Sequence, residues 1–148
     1  MDTIRNALSS DTISTGSGSD EVFITINDIS EVNNSINIDG GSGSSFFARY
    51  SDTLHINMPN TSSVDLSIFR LNFDNFEIYD FSDSFSQNIT IGETDFVSIV
   101  NDTLKITGDS DDKVILPENS SQTRADEDYV YYAINNIEIA ISDDMLIG

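Results

Sequence analysis

A chain of 148 residues is the size of one domain, and its 38% hydrophobic content, with nine Phe and five Tyr, supplies a packed core and excludes general disorder. Six Lys plus Arg against 26 Asp plus Glu give a formal net charge of -20, which argues against nucleic acid or an anionic membrane as partner, since both require cationic surface. Cysteine is absent, so disulfides, thiolate metal sites and Cys nucleophiles are excluded. No apolar run is long enough for a spanning helix, and Met1 to Asn6 lead into polar sequence without the pattern of a Sec signal peptide. One domain over residues 1–148 is expected, with no membrane insertion.

From the N-terminus, Asp11-Thr12-Ile13 is followed nine residues later by Asp20-Glu21-Val22, with Thr15-Gly16-Ser17-Gly18-Ser19 between them, a nonapeptide period. Short runs rich in Ile, Val, Thr, Phe and Tyr then recur between Gly, Asn, Asp and Ser clusters, which predicts strands. They fall at Glu21–Ile26, Thr53–Met58, Val64–Leu71, Phe76–Phe81, Asn88–Ile91, Thr103–Thr107, Lys113–Leu116, Tyr129–Ile134 and Ile137–Ile141. Glu93–Ile99, with acidic residues in its first turn, predicts one short helix. Asn75-Phe76-Glu77-Ile78 is echoed by Asn136-Ile137-Glu138-Ile139, as two strand units in different layers would be. The expected class is all-β, and the nonapeptide suggests a parallel β-roll or β-solenoid-like arrangement.

The stretch from Thr15 to Val22 reads x-G-x-G-x-D-x-U, with U a large aliphatic residue. In a parallel β-roll the Gly-rich half of such a repeat turns tightly and the D-x-U half forms a short strand with U pointing inward. Calcium takes six to eight oxygen ligands at about 2.3–2.6 Å. Stacked turns supply them as carbonyls and Asp carboxylates, which makes Asp20 the first candidate ligand, Asp11 its neighbour one repeat earlier, and Gly16 and Gly18 carbonyl donors. The D-x-U triplet recurs at Asp52-Thr53-Leu54, Asp102-Thr103-Leu104 and Asp112-Lys113-Val114. Gly40-Gly41-Ser42-Gly43 precedes the first of these and Gly108-Asp109-Ser110-Asp111 the last, adding Gly41, Gly43, Asp52, Asp109, Asp111 and Asp112 to the candidate metal set.

These segments resemble the RTX (repeats-in-toxin) family, whose hallmark is the Gly-Gly-x-Gly-x-Asp nonapeptide, and in particular the RTX region near the C-terminus of giant bacterial adhesins exported by type I secretion. The resemblance is carried by Asp11 to Val22, Ile38 to Gly43, Asp52 to Leu54, Phe73 to Phe81 and Asp102 to Val114. It implies a non-catalytic module that folds on calcium outside the cell, at the extracellular side or the bacterial surface, supporting adhesion or export, with the type I secretion machinery acting on the parent chain. Where the family pattern would place Asp after Gly-Gly-x-Gly-x, this chain has Ser45, and Phe46 to Ser51 intervene before Asp52. With one clean nonapeptide, about one to three ions are expected rather than a long ladder.

Each signal has a plainer reading. Asp20 could cap an ordinary Gly-Ser turn, and Asp109, Asp111 and Asp112 could form a solvated acidic turn. The Phe46-Phe47-Ala48-Arg49-Tyr50 insertion suits a partner surface for a cell-surface glycan or peptide, or a cover for the end of a core. Phe69, Phe73, Phe76, Phe81 and Phe85 read as core and strand-face packing. His55, the single histidine, alternates with Leu54 and Ile56 and is placed on a polar strand face, which removes most Ser-His-Asp schemes. A calcium-dependent glycan- or peptide-binding domain is the alternative function, and a polysaccharide-acting enzyme using two carboxylates is the second alternative.

Overall fold

A computed structural model describes residues 2–7, 11–32, 36–41, 44–45, 48–49, 51–92 and 103–148. In chain order the strands are β1 (Thr3–Ala7), β2 (Thr12–Ser14), β3 (Glu21–Thr25), β4 (Asn37–Asp39), β5 (Ser44–Ser45), β6 (Ala48–Arg49), β7 (Thr53–Asn57), β8 (Ser63–Asp65), β9 (Phe73–Asp74), β10 (Ile78–Asp80), β11 (Asn88–Thr90), β12 (Leu104–Thr107), β13 (Lys113–Ile115), β14 (Ser121–Ala125), β15 (Tyr129–Ile134), β16 (Ile137–Ser142) and β17 (Leu146–Ile147). One α-helix, α1 (Leu66–Asn72), joins β8 to β9. The expected all-β class holds, and each predicted strand among the described residues overlaps an observed one, Val64–Leu71 only at its first two residues.

The largest sheet has eight strands in the order β1-β3-β7-β10-β12-β16-β15-β14 and is mixed. Its pairs are parallel from β1 through β16, and antiparallel where β16 meets β15 and β15 meets β14. A four-stranded sheet, β17-β13-β11-β8, and a three-stranded sheet, β2-β4-β9, are parallel throughout. Parallel neighbours are successive visits of the chain to the same sheet. Several visits are 25 residues apart, so that His55 sits beside Asp80 and Gln87 beside Asp112. The first return is shorter, with Asp2 and Asp20 18 residues apart. Within it the nine-residue step from Asp11 to Asp20 carries the chain from the three-stranded sheet to the eight-stranded one.

The core follows from strand alternation stacked in register. Val22, Leu54, Tyr79, Ile106 and Ile141 oppose one another across five strands, and each is at most 1% exposed. Val64, Ile89 and Val114 form the matching column of the four-stranded sheet, and Ile38 and Phe73 that of the three-stranded one. Burying such a side chain stabilises by about 1.5–3 kcal/mol. Of the Phe cluster expected in the core, Phe69, Phe73, Phe76 and Phe81 are buried, while Phe85 is exposed.

One expectation is corrected. Val64–Leu71 was expected as a single strand, but only Ser63–Asp65 is extended and the helix begins at Leu66. Asp65 is the N-cap, accepting from the backbone N–H and hydroxyl of Ser67. The buried residues Leu66 and Phe69 fall at i and i+3 on one face of the helix, which ends at its extended C-cap Phe73, the first residue of β9. The helix expected at Glu93–Ile99 lies outside the described residues.

Two turns depend on glycine. Gly41 has φ +90°, and a Cβ there would strike the backbone of Gly16, the glycine 25 positions earlier in the neighbouring turn. Gly108 has no room for a Cβ between Asp112 Oδ2 and the methyl of Met145, each 2.6 Å away. Leu54→Ala should cost about 2–5 kcal/mol in urea unfolding, through transfer and cavity terms together. Gly41→Ala should destabilise comparably although it adds a single methyl, whereas Gly16→Ala, where the Cβ meets nothing within 4 Å and only the backbone at φ +94° is strained, should cost less.

Candidate functional site: buried corner carboxylates and a polar cleft

The candidate metal ligands separate into three groups. Asp20 and Asp52 immediately precede β3 and β7 at the same corner of the molecule, and are 1% and 0% exposed. Their carboxylates reach across successive visits of the chain: Asp20 Oδ1 accepts the Asp2 N–H, and Asp52 Oδ1 accepts the Asp20 N–H at 2.7 Å. Glu77 continues the series, its Oε2 accepting the Asp52 N–H at 2.7 Å. Each acid therefore caps the backbone of the preceding visit of the chain to this corner. Gly40 packs against the Cβ of Asp52, and Asp39 Oδ1 accepts from Gly41 N–H and Asn75 Nδ2 at the edge of this corner.

Asp112 does the same work at a different corner, before β13. Its Oδ1 accepts the Gln87 N–H and its Oδ2 the Asp109 N–H, each at 2.8 Å, and it is 0% exposed. Asp109 and Asp111 are exposed in the turn leading into it, as the solvated-turn reading expects. Asp11 lies half-buried before β2, where its carbonyl accepts the Asn37 N–H. Gly16 and Gly18 have φ +94° and +131° in the first turn. Gly43 lies outside the described residues, as do Phe46, Phe47 and Tyr50 of the aromatic insertion. Among the described residues no three His, Asp or Glu side chains converge in a metal-ligating group.

The electrostatics of the corners are those of buried acids. Burial pushes the Asp52 carboxyl above the usual carboxylate range against the opposing Asp20 N–H bond, and the charges of Asp20 and Asp39 raise it further. Asp52 Oδ2 is buried with no hydrogen-bond partner among the described residues. Burial likewise raises Asp112, aided by Asp111 and Asp109 and opposed by its two backbone donors. Such acids stay protonated unless a cation compensates the charge of the carboxylate.

A second arrangement lies on the outer face of the eight-stranded sheet, where His55 was expected on the polar side of its strand and is found. Its Nδ1 is 2.6 Å from Asp80 Oδ2 on the next strand, and its ring stacks on Phe23 of β3 with centroids 4.1 Å apart and planes within 7°. The Arg5 guanidinium lies over Phe23 at 4.4 Å. Burial opposes ionisation of Asp80, but bonds from Ser82, Thr107 and His55 prevail and hold its carboxyl below the ordinary value. An ionised Asp80 fixes the His55 ring proton on Nδ1. Beside this stack a cleft of ≈ 410 Å³ is bordered by Arg5, Asn6, Thr25, Asn57 and the turn Ser82–Ser84. Sequence reading missed it because its residues come from four separate visits to one sheet. The detectable signal was the 25-residue spacing of His55 and Asp80.

Comparison with protein-family models, with curated proteins and with solved structures finds no match for this chain.

The two kinds of carboxylate respond oppositely to pH. Asp52 and Asp112, raised on folding, contribute stability below about pH 3.9 that is lost as pH rises through their folded values. Asp80, lowered on folding, contributes above that pH and loses its contribution on further acidification. Without added metal, the raised Asp52 and Asp112 should lower the melting temperature of the wild type as pH rises through their folded values, and Asp52→Asn, which keeps an Oδ1 acceptor for Asp20 N–H, should blunt that fall. Asp112→Asn should instead cost about 1–3 kcal/mol at neutral pH, because its amide replaces one of two acceptors that face backbone N–H groups.

Proposed function

We propose that this chain is a non-catalytic β-solenoid module of an exported bacterial adhesin, folded at the cell surface or outside the cell, whose folding is coupled to calcium at its acidic corner. The observation that carries this reading is the pair Asp20 and Asp52, two carboxylates buried on adjacent layers beside the Gly16–Gly18 and Gly40–Gly41 turns, with an Asp52 oxygen that lacks a donor. The parallel pairing of successive visits, many at a 25-residue offset, supports the solenoid, as does the inward stacking of one aliphatic or aromatic side chain per layer. The described residues offer the cation carboxylates and turn carbonyls, the hard oxygen donors that calcium prefers.

The mechanism is a folding switch. With little calcium, a chain of net charge -20 resists closing acidic corners upon one another, which suits passage of an extended chain through a secretion channel. Outside, calcium neutralises the corner and the layers stack. At ten times its Kd each bound ion stabilises by about 1.4 kcal/mol, enough for one or two sites to decide the state of a marginal domain.

Thermal unfolding in chelator and then in millimolar calcium tests the coupling. Calcium should raise the melting temperature of the wild type by several degrees and should have little effect on Asp52→Asn. An unchanged wild-type melting temperature would overturn the calcium coupling and leave proton uptake as the means of neutralising Asp52.

A further inference from the structure

We propose that the cleft on the outer face of the eight-stranded sheet is a binding site for a neutral saccharide. This deepens the adhesion part of the functional reading and is independent of its calcium part, because none of the corner residues Asp20, Asp52 or Asp112 borders the cleft.

The argument rests on which groups are already committed. Asp80 accepts from Ser82 N–H and Thr107 Oγ1, each at 3.0 Å, and bonds His55. Asp83 accepts from Met58 N–H at 2.8 Å, Phe85 N–H at 2.7 Å and Gln87 Nε2 at 3.1 Å. Both carboxylates bordering the cleft thus have their oxygens engaged from within, which leaves a ligand the uncommitted amide and hydroxyl groups as its hydrogen-bond partners. Asn6, Thr25, Asn57 and Ser84 are exposed, and their side chains make no hydrogen bond among the described residues. They present amide and hydroxyl groups, both donors and acceptors, matching the vicinal hydroxyls of a sugar.

Their placement is fixed by the sheet. Thr25 and Asn57 are register partners on β3 and β7, so their side chains stand on the same face one strand apart. Asn6 interrupts β1 with φ +60°, at the irregularity where its pairing with β3 shifts. Opposite them Ser84 belongs to the turn 82–84, which is pinned by Asp80 and Asp83. The floor is rigid, since Phe23 is stacked between Arg5 and His55. A volume of ≈ 410 Å³ lies in the range of about 300–1,000 Å³ usual for small-ligand sites. An apolar ligand would leave these polar groups without partners, and an anionic one would meet the field of a chain carrying -20.

Arg5 is the permanent cation at the cleft and pairs with no carboxylate among the described residues. It supplies guanidinium donors to a sugar hydroxyl or ring oxygen. It would also be the anchor for an acidic sugar, which makes the charge of the saccharide the discriminating variable.

The test is a titration of the folded protein, with and without calcium, with neutral gluco-, galacto- and manno-oligosaccharides and with an oligouronate, followed by two-dimensional NMR. The ring signals of His55, the sole histidine, report on the floor of the cleft. At least one neutral oligosaccharide should shift the amides of Thr25, Asn57 and Ser84 together with the His55 ring. Asn57→Ala, at an exposed position, should weaken binding about five- to tenfold without moving the melting temperature. Shifts from the oligouronate alone, shifts mapping elsewhere, or no shift from any neutral sugar while the protein remains folded would each overturn the proposal. Binding that persists in chelator would uphold it even if calcium proved to have no effect on stability.

Discussion

The fold depends on one repeated interaction: a carboxylate directly before a strand accepting a backbone N–H from the preceding visit of the chain to the same corner. Where the chain turns from one sheet to the next it leaves the ladder of strand hydrogen bonds, and the N–H groups of the corner would be buried without acceptors. Asp52 answers this for Asp20, Glu77 for Asp52, Asp20 for Asp2, and Asp112 for both Gln87 and Asp109. A carboxylate suits the task because it offers two acceptor oxygens on a short stem, and Asp112 uses both. The cost is a charge in a dry corner, which is why burial raises Asp52 and Asp112.

That constraint joins composition to function. An acid-rich sequence is ordinarily read as a solvated surface, and Asp109 and Asp111 are an example. A small subset has turned inward, and for those residues the acidity of the chain is a folding problem with a chemical remedy. A proton is one remedy at Asp52 and the calcium proposed above would be the other, and the two differ in their dependence on pH and on chelator. The cleft lies outside this problem, since Asp80 and Asp83 accept hydrogen bonds from within the chain on a face that meets solvent.

Much of the strand content was legible because period-2 alternation with β-branched residues is a local property, as Thr53-Leu54-His55-Ile56 shows. The D-x-U triplets marked true structural positions, since Asp11, Asp20, Asp52 and Asp112 each stand directly before a strand. Their partners were not legible: a carboxylate that binds a backbone N–H 32 residues away leaves no local trace. The 25-residue offset was obscured because returns differ in length and because the matched residues differ chemically, as with Gln87 and Asp112 or Met58 and Asp83. The helix at Leu66 was hidden by an apolar run that satisfies strand and helix periods alike, and the cap at Asp65 was the deciding mark. The echo between Asn75 and Asn136 does not mark equivalent positions: both asparagines adopt positive φ before a strand of the same sheet, but the register aligns Ile78 with Lys105 and Ala140, not with Ile139.

The reversal of direction at β15 bears on how the molecule meets its neighbours. Five parallel pairings would leave a parallel edge able to template further chain, but the sheet turns back on itself and ends in β14, whose residues Ser121-Gln122-Thr123-Arg124-Ala125 are all exposed. Arg124 is held against the Tyr131 ring at 3.4 Å and against Glu138 at 2.8 Å, so its charge is fixed beside the open hydrogen-bonding groups. A strand arriving from another molecule would gain backbone bonds there, yet bury almost no apolar surface and crowd a fixed cation. The hairpin thus gives the largest sheet an edge on which a further strand does not readily pair.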